Sequence, residues 1–317
     1  MKKVVLCLLI VFTLTGFSYS QIDPQISQYM FHTFSFNPAA VGEGEMIQAI
    51  GHQRFQYMGL RGAPITTLLS VNGPIKLHKN SLGVGVAVLM DKAGLYANNA
   101  AYFQGAYKKQ LENGVLSFGL NLGWTNIVFS GDSLSAYKGT DEYHSQADPI
   151  VPLVKSSATG FDLFSGVFYS NAQWYTGLSY SHLISSEITD GGKFVYKLPG
   201  TLYLTGGYNF LIPDTKIVIK PSTLIKTYNF KVFQVDIGAR AEFNNKIWGG
   251  MAYRLDDAVV FLFGVNLASG MTVGVSYDLV TSKIRLASIG SGELFVAYNF
   301  DLVLKSRNSK YKSIRIL

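Results

Sequence analysis

Apolar residues alternate with small or polar ones along most of this chain. In "SLGVGVAVLMD", Leu82, Val84, Val86, Val88 and Met90 share one face, opposite Ser81, Gly83, Gly85, Ala87, Leu89 and Asp91. "GVLSFGLNLGWTN" sets Leu116, Phe118, Leu120, Leu122 and Trp124 against Ser117, Gly119, Asn121 and Gly123. "VFQVDIGARAEF" and "GMTVGVSYDLV" repeat the pattern, and "ELFVAYNFDLVLK" carries it almost to the end. In that last stretch Leu294, Val296, Tyr298, Phe300, Leu302 and Leu304 oppose Glu293, Ala297, Asn299 and Asp301, and Phe295 is the one large apolar residue on the polar side. A period of two is the signature of a strand with two unlike faces. These runs are about as long as a tilted strand needs to cross a bilayer.

Extending the reading to weaker segments predicts fourteen strands, at 46–57, 65–73, 81–91, 96–109, 114–126, 158–170, 172–182, 200–210, 215–228, 230–243, 246–254, 257–267, 270–280 and 291–304. Their connections fall into two sets. "LENG", "SNAQ", "FLIPDT", "NNK" and "LASG" are short and share one parity, with "GPIKLHKN" somewhat longer. The long connections, 127–157, 183–199 and 281–290, all have the other. Bacterial membrane barrels show this asymmetry, with short turns in the periplasm and longer loops outside.

Composition turns a β-rich chain into a membrane one. Aromatic residues are 14% and charged residues 15%, against roughly 25% charged in ordinary globular proteins. No apolar run after the first twenty residues is long enough to form a spanning helix, so the apolar surface must be carried by strands. A closed barrel allows this because it satisfies every backbone hydrogen bond within lipid. Tyr and Trp near strand ends suit the headgroup level, and Trp124, Tyr169, Trp174, Tyr180, Tyr208, Phe210, Tyr228 and Tyr253 are the candidates. The N-terminus reads as a cleaved signal peptide: Lys2 and Lys3, the apolar "VVLCLLIVFTL", then small Ser18 and Ser20 before Gln21. The expected organisation is a signal peptide at 1–20, an N-terminal periplasmic segment or plug at 21–45, a transmembrane barrel at 46–304, and a basic periplasmic tail at 305–317.

Charge and reactive side chains narrow the function. The single cysteine, Cys7, falls in the signal, so the exported chain is expected to hold no disulfide and no cysteine nucleophile. Without Lys2 and Lys3 the 27 basic residues become 25 against 20 acids, and Lys305, Arg307, Lys310, Lys312 and Arg315 in the tail account for the surplus. Export argues against a nucleic-acid partner. His32, His52, His78, His144 and His182 lack metal-ligand spacing, and no nucleophile-elbow motif surrounds a serine. His182, in "SYSHL", is the best lone candidate for a hydrolase, against the commoner reading of a solvated rim histidine. Asp236, Arg240 and Glu242 share a face and would either line a polar lumen or form an internal ion-pair lattice, the second being the commoner arrangement in a barrel without a constricting loop. The expectation is a protein that is not an enzyme, with no cofactor and no metal.

Two segments carry a family resemblance. "DPQISQYMFHTFSFNPAAVG" holds Asp23, Pro24, Gln25, Ser27, Gln28, Tyr29, Met30 and Phe31, then Asn37, Pro38, Ala39 and Gly42. "RFQYMGLRGAPIT" holds Arg54, Gln56, Gly59, Gly62, Ala63 and Pro64. Together they resemble the PorP/SprF family of outer-membrane proteins, tied to type IX secretion and gliding in Bacteroidota. Tyr57 stands where that family usually has tryptophan, and Ala40 where a tyrosine is common. "LMDKAG", "TSKIR", "GSGELFVAYNF" and "KSIRIL" extend the resemblance to the C-terminus.

The resemblance implies a fourteen-stranded outer-membrane barrel that helps export or anchor specific partner proteins. Its partners would be membrane lipid, secreted or surface-anchored cargo, and periplasmic secretion or peptidoglycan-linked components. The long loops would meet the cargo and the basic tail a periplasmic component. The site residues it implies, for structure or partner contact, are Asp23, Pro24, Gln25, Gln28, Tyr29, Asn37, Pro38, Arg54, Gln56, Gly59, Gly62, Ala63 and Pro64. The alternative is a pore or transporter for small or hydrophobic solutes. From the residues themselves, "SQYMFHTFSFNPAA" is too aromatic for a disordered leader. It reads either as a simple extension or as a plug in the periplasmic mouth, with a helix ended by Asn37-Pro38.

Overall fold

The computed structural model describes residues 23–77, 80–131, 155–184, 188–190, 194–196, 198–228 and 230–301. The expected signal peptide, the tail 305–317, residues 302–304 of the last expected strand and most of the first long loop lie outside them. Fourteen long antiparallel strands form a closed barrel. They are β1 (Ile47–Met58), β2 (Ile65–Leu77), β3 (Asn80–Ala93), β4 (Tyr96–Leu111), β5 (Gly114–Ser130), β6 (Lys155–Ser170) and β7 (Trp174–Ser181). The series continues with β8 (Thr201–Tyr208), β9 (Ile217–Tyr228), β10 (Val232–Phe243), β11 (Ile247–Arg254), β12 (Ala258–Asn266), β13 (Met271–Val280) and β14 (Gly290–Phe300). Each overlaps its predicted counterpart. β5 and β6 run further than expected, leaving residues 131–154 between them. The second contains a small hairpin, Ile188–Asp190 with Phe194–Tyr196.

Each strand pairs with its sequence neighbour, and β1 pairs with β14 to close the ring. The closing register sets Ile47 opposite Phe300 and Arg54 opposite Glu293, with a bulge between Phe55 and Met58. Closure leaves no open edge, as an apolar medium requires.

The alternation of side chains has the consequence the sequence anticipated. Leu294 and Val296 are 47% and 39% exposed on the outside, while Phe295 between them is fully buried in the lumen. Val86, Val88, Leu120, Leu122, Val275 and Leu279 also face outward. Aromatic rings mark both ends of this apolar band. Tyr107, Phe118, Trp174, Phe210, Phe243 and Tyr298 lie toward the end with short turns; Phe55, Tyr96, Phe233, Tyr253 and Tyr277 lie toward the end with long loops. Of the belt candidates, Tyr228 is misplaced: it is buried on the inner face at the end of β9. No helix among the described residues is long and apolar enough to cross a membrane.

Candidate functional site

The lumen is occupied by the chain's own N-terminal segment. Residues 23–46 descend through it from the loop end to the turn end, where β1 begins. The segment forms three short helical turns, Tyr29–Phe31, Thr33–Phe36 and Pro38–Ala40. Asn37 is extended, which ends the middle turn, and its side chain accepts from the Ala39 amide at 3.0 Å to start the next. The expected plug in the periplasmic mouth is thus only the lower part of what is seen. The segment's first residues sit at the opposite end.

At the loop end, Asp23 meets His182 Nε2 at 2.9 Å and accepts from the Tyr203 hydroxyl at 2.6 Å. His182 Nδ1 lies 2.7 Å from Asp162. Burial works against charge on this imidazole, but the Asp23 and Asp162 carboxylates outweigh it and raise its pKa to about 10. Burial likewise opposes ionisation of Asp23, and the His182 charge overcomes it, holding the carboxyl well below its usual range. His182 is therefore a buried imidazolium donating from both nitrogens, not a solvated rim histidine.

One turn lower lies a buried ionic cluster built by strands far apart in sequence. Arg54 of β1 donates to Glu293 of β14 at 2.5 Å and to Asp278 of β13 at 2.9 Å. Arg254 of β11 donates to Asp236 of β10 at 3.0 Å and to Asp278 at 3.0 Å. Ser27 sits between the guanidiniums. Its hydroxyl donates to Asp278 at 2.8 Å and accepts from Arg54 at 3.0 Å and Arg254 at 2.9 Å. A hydroxyl has one proton and two lone pairs, so every valence is used. The Ser27 and Gln28 amides donate to the two oxygens of Glu293 at 2.6 and 3.1 Å. Gln25 links Gln234, Gln56 and Arg254 to the same cluster.

Below this the contact is aromatic. Phe31 lies 4.7 Å from Trp248 and 4.8 Å from Phe295, centroid to centroid, with the Arg240 guanidinium 4.3 Å from its ring. Phe295, the exception on the polar face of its strand, is there to meet the segment. The Tyr29 hydroxyl is 3.0 Å from Ser222. Near the turn end the wall supplies polar partners to the segment's backbone. Gln104 donates to the Phe34 carbonyl at 2.8 Å, Ser179 to the Phe36 carbonyl at 2.7 Å, and Lys108 to the Gly42 carbonyl. Asn37 donates to the Val167 carbonyl at 3.1 Å. Close approach explains glycines on the inner face. A Cβ at Gly119 would lie 2.2 Å from the Ala39 nitrogen, and one at Gly166 would lie 2.2 Å from Asn37 Oδ1. A cavity of about 80 Å³ remains between segment and wall, lined by Pro24, Ile26, Tyr102, Phe164, Tyr203 and Lys226 among others.

Of the residues the motifs singled out, Asp23, Pro24, Gln25, Gln28, Tyr29, Asn37, Pro38 and Arg54 come together inside the barrel, with Gln56 at the margin. Gly59, Gly62, Ala63 and Pro64 do not join them. They form the loop between β1 and β2, where Gly59 (φ 96°) and Gly62 (φ 75°) take left-handed conformations. Gly62 O accepts from the Gly94 amide at 2.8 Å. The motif residues omitted the acidic side of the cluster, Asp236, Asp278 and Glu293, and its second arginine, Arg254. Their signal was present as inward-facing charges at similar heights on strands predicted to cross lipid. Asp236 and Glu242 do form ion pairs, with Arg254 and Lys220 on other strands, while Arg240 lies over the Phe31 ring in a cation–π contact. Among the described residues no group of histidines and carboxylates is placed to hold a metal.

These features define a membrane β-barrel of outer-membrane type whose interior is laced to its own N-terminal segment. The sequence matches the model of the type IX secretion system membrane protein PorP/SprF over residues 18–298, and the chain belongs to that family. No curated protein matches it in sequence. Solved structures of similar shape include the CymD monoaromatic hydrocarbon channel, at 10% identity and a TM-score of 0.49 over 89% of this chain and 95% of that one. The outer membrane protein Omp33 of Acinetobacter baumannii gives 8% and 0.48 over 82% and 100%. The P. putida toluene transporter TodX gives 10% and 0.43 over 84% and 93%.

Proposed function

We propose that this protein is a non-enzymatic, non-conducting scaffold of the type IX secretion system, assisting export or surface anchoring of specific partner proteins. The observation that carries the reading is the occupation of the lumen. A segment bonded to the wall at three heights gives the barrel a rigid interior and leaves the loops and tail to do the work. The long loops 131–154 and 182–200 would meet the cargo, and the basic tail would meet a periplasmic or peptidoglycan-linked component. The family membership supports the system in which this happens.

Gentle solubilisation of the envelope, affinity isolation of the full-length protein and mass spectrometry of what accompanies it test the proposal. The expected companion is an exported protein that depends on this chain for its surface display. Planar-bilayer recordings of the same preparation are expected to be silent. Steady single-channel steps from wild-type protein, with no companion recovered, would instead support a pore for small or hydrophobic solutes.

A further inference from the structure

Exposed cations gather where the connections β1–β2, β3–β4 and β13–β14 meet at the loop end. Among the described residues, the loop end exposes Arg61, Lys92, Lys155, Lys231, Lys283 and Arg285 against one exposed acid, Asp256. At the turn end, Lys76, Lys109, Lys216 and Lys246 are offset by exposed acids that include Glu45, Glu112, Asp214 and Asp301. Four of the loop-end cations, three in connections and Lys92 at the end of β3, lie on adjoining elements. The β1–β2 loop bonds to the β3–β4 turn through Gly94 N and Gly62 O at 2.8 Å, and the β13–β14 loop bonds to it through Ile289 N and Met58 O at 2.9 Å. Arg61 therefore stands between Lys92 on one side and the Lys283–Leu286 turn on the other.

The height of this patch identifies its partner. Phe55, Ile65 and Lys92 are consecutive in cross-strand register on the outer face. Lys92 thus caps the lipid-facing column Val86, Val88, Met90. Phe55 and Ile65 are about half exposed, and Ile289, whose amide bonds the Met58 carbonyl, is 71% exposed. A groove of about 370 Å³ runs between Phe55, Met58, Leu60, Ile65 and Lys92. Apolar side chains below and cations above match an amphiphile with acyl chains and an anionic head, since lysine and arginine place their charge at the headgroup level. Arginine also binds phosphate oxygens in pairs. Long loops face outward in bacterial barrels, so the head belongs to the outer leaflet, whose glycolipids carry phosphates.

We infer that Arg61, Lys92, Lys283 and Arg285 form a binding site for phosphorylated glycolipid headgroups of the outer leaflet. This gives the loop Gly59–Pro64 a role the lumen does not give it: it carries Arg61 out to the membrane surface. Purified full-length protein in detergent would be titrated with diphosphoryl lipid A, and bound lipid counted by native mass spectrometry. Replacing the four residues together by glutamine is expected to weaken binding at least about tenfold, as surface cations near anionic lipid each contribute several-fold. Replacing Lys76, Lys109, Lys216 and Lys246 removes the same charge from the other end and should change it less than about twofold. Heat-modifiable mobility on gels verifies that both sets fold. In wild type, binding should fall with added salt, and dephosphorylated lipid A should bind no better than diphosphoryl lipid A binds the loop-end variant. Equal losses in the two sets, or equal affinity for the dephosphorylated lipid, would overturn the inference. So would complete displacement by a millimolar excess of inorganic phosphate, which would assign the site to the free ion.

Discussion

Glu293→Gln is the sharpest perturbation of the lumen cluster, because one carboxylate holds both a strand and the segment. Its oxygens accept from Arg54 and from the Ser27 and Gln28 amides, with Ser276 Oγ at 3.3 Å. Glutamine keeps the shape but removes the charge, and its amide nitrogen turns a donor toward one of those donors. Hydrogen bonds to a charged partner contribute about 1.5–3 kcal/mol each. Losing the equivalent of two, with Arg54 still paired to Asp278, weakens docking of residues 23–28 by about 3 kcal/mol. That is roughly a hundredfold in the docked-to-released ratio. A cysteine at Ile26, in a Cys7→Ser background, reports release through its rate of labelling by a maleimide that cannot cross the membrane. The rate is expected to rise by about that factor in Glu293→Gln. It should be almost unchanged in Ser276→Ala, which loses one long contact. Identical labelling in Glu293→Gln and wild type would refute the claim that this carboxylate holds the segment down.

Three further outcomes follow from the same geometry. Gly119→Leu places carbon within 2.2 Å of the Ala39 nitrogen. It should expel the lower part of the segment and raise conductance in planar bilayers above that of wild type; a variant with unchanged conductance would argue against close packing there. The His182 latch should depend on pH with a definite sign. Its folded pKa of about 10 exceeds the unfolded value, so its stabilisation is complete below about 6.5 and disappears as pH rises through 10. Normalised to a free-cysteine control that carries the ordinary rise of thiolate with pH, labelling at Ile26 should accelerate across that alkaline window in wild type but not in His182→Asn. At low pH the sign reverses, because Asp23 is depressed and its contribution fades as pH falls below about 4. Val275→Arg, on the lipid face, should cost about 2–4 kcal/mol in equilibrium urea unfolding in micelles. Val275→Leu should be nearly neutral, and equal effects would contradict the assigned facing.

The barrel was legible because lipid imposes a strict rule. Each spanning strand must present an apolar face, and closure makes that face identical in kind all the way round. Leu82 to Met90 or Leu116 to Trp124 therefore announce strand, facing and length together. The interior follows no such rule. It is filled by a segment from another part of the chain, so its pattern is not periodic along any strand. Phe295 looks like an error in alternation until Phe31 is placed against it, and Gly119 looks merely small until Ala39 is beside it. Ser276 shows that the inner face is dry at this height. An arginine there would be mild in a water-filled lumen, but Ser276 is buried against Glu293. Tyr228 was assigned to the membrane surface for a related reason: nearness to a strand end does not say which face a ring is on.

What joins the two levels is the seam. Arg54 and Glu293 face each other across the β1–β14 junction, the last pair of strands to meet in sequence terms, and Ser27 completes both. Before closure Arg54 lacks its partner on β14 and Glu293 lacks its cation. Burial of either alone costs several kcal/mol. In a barrel that is closed but empty the pair would form without the Ser27 and Gln28 donors, and in a segment docked to an open sheet one charge would lack its partner. The stable arrangement needs β1, β13, β14 and the N-terminal segment at once. Closure and filling are thereby coupled through one buried cluster, and the residues that resemble a family motif at the start of the chain act on strands at its end.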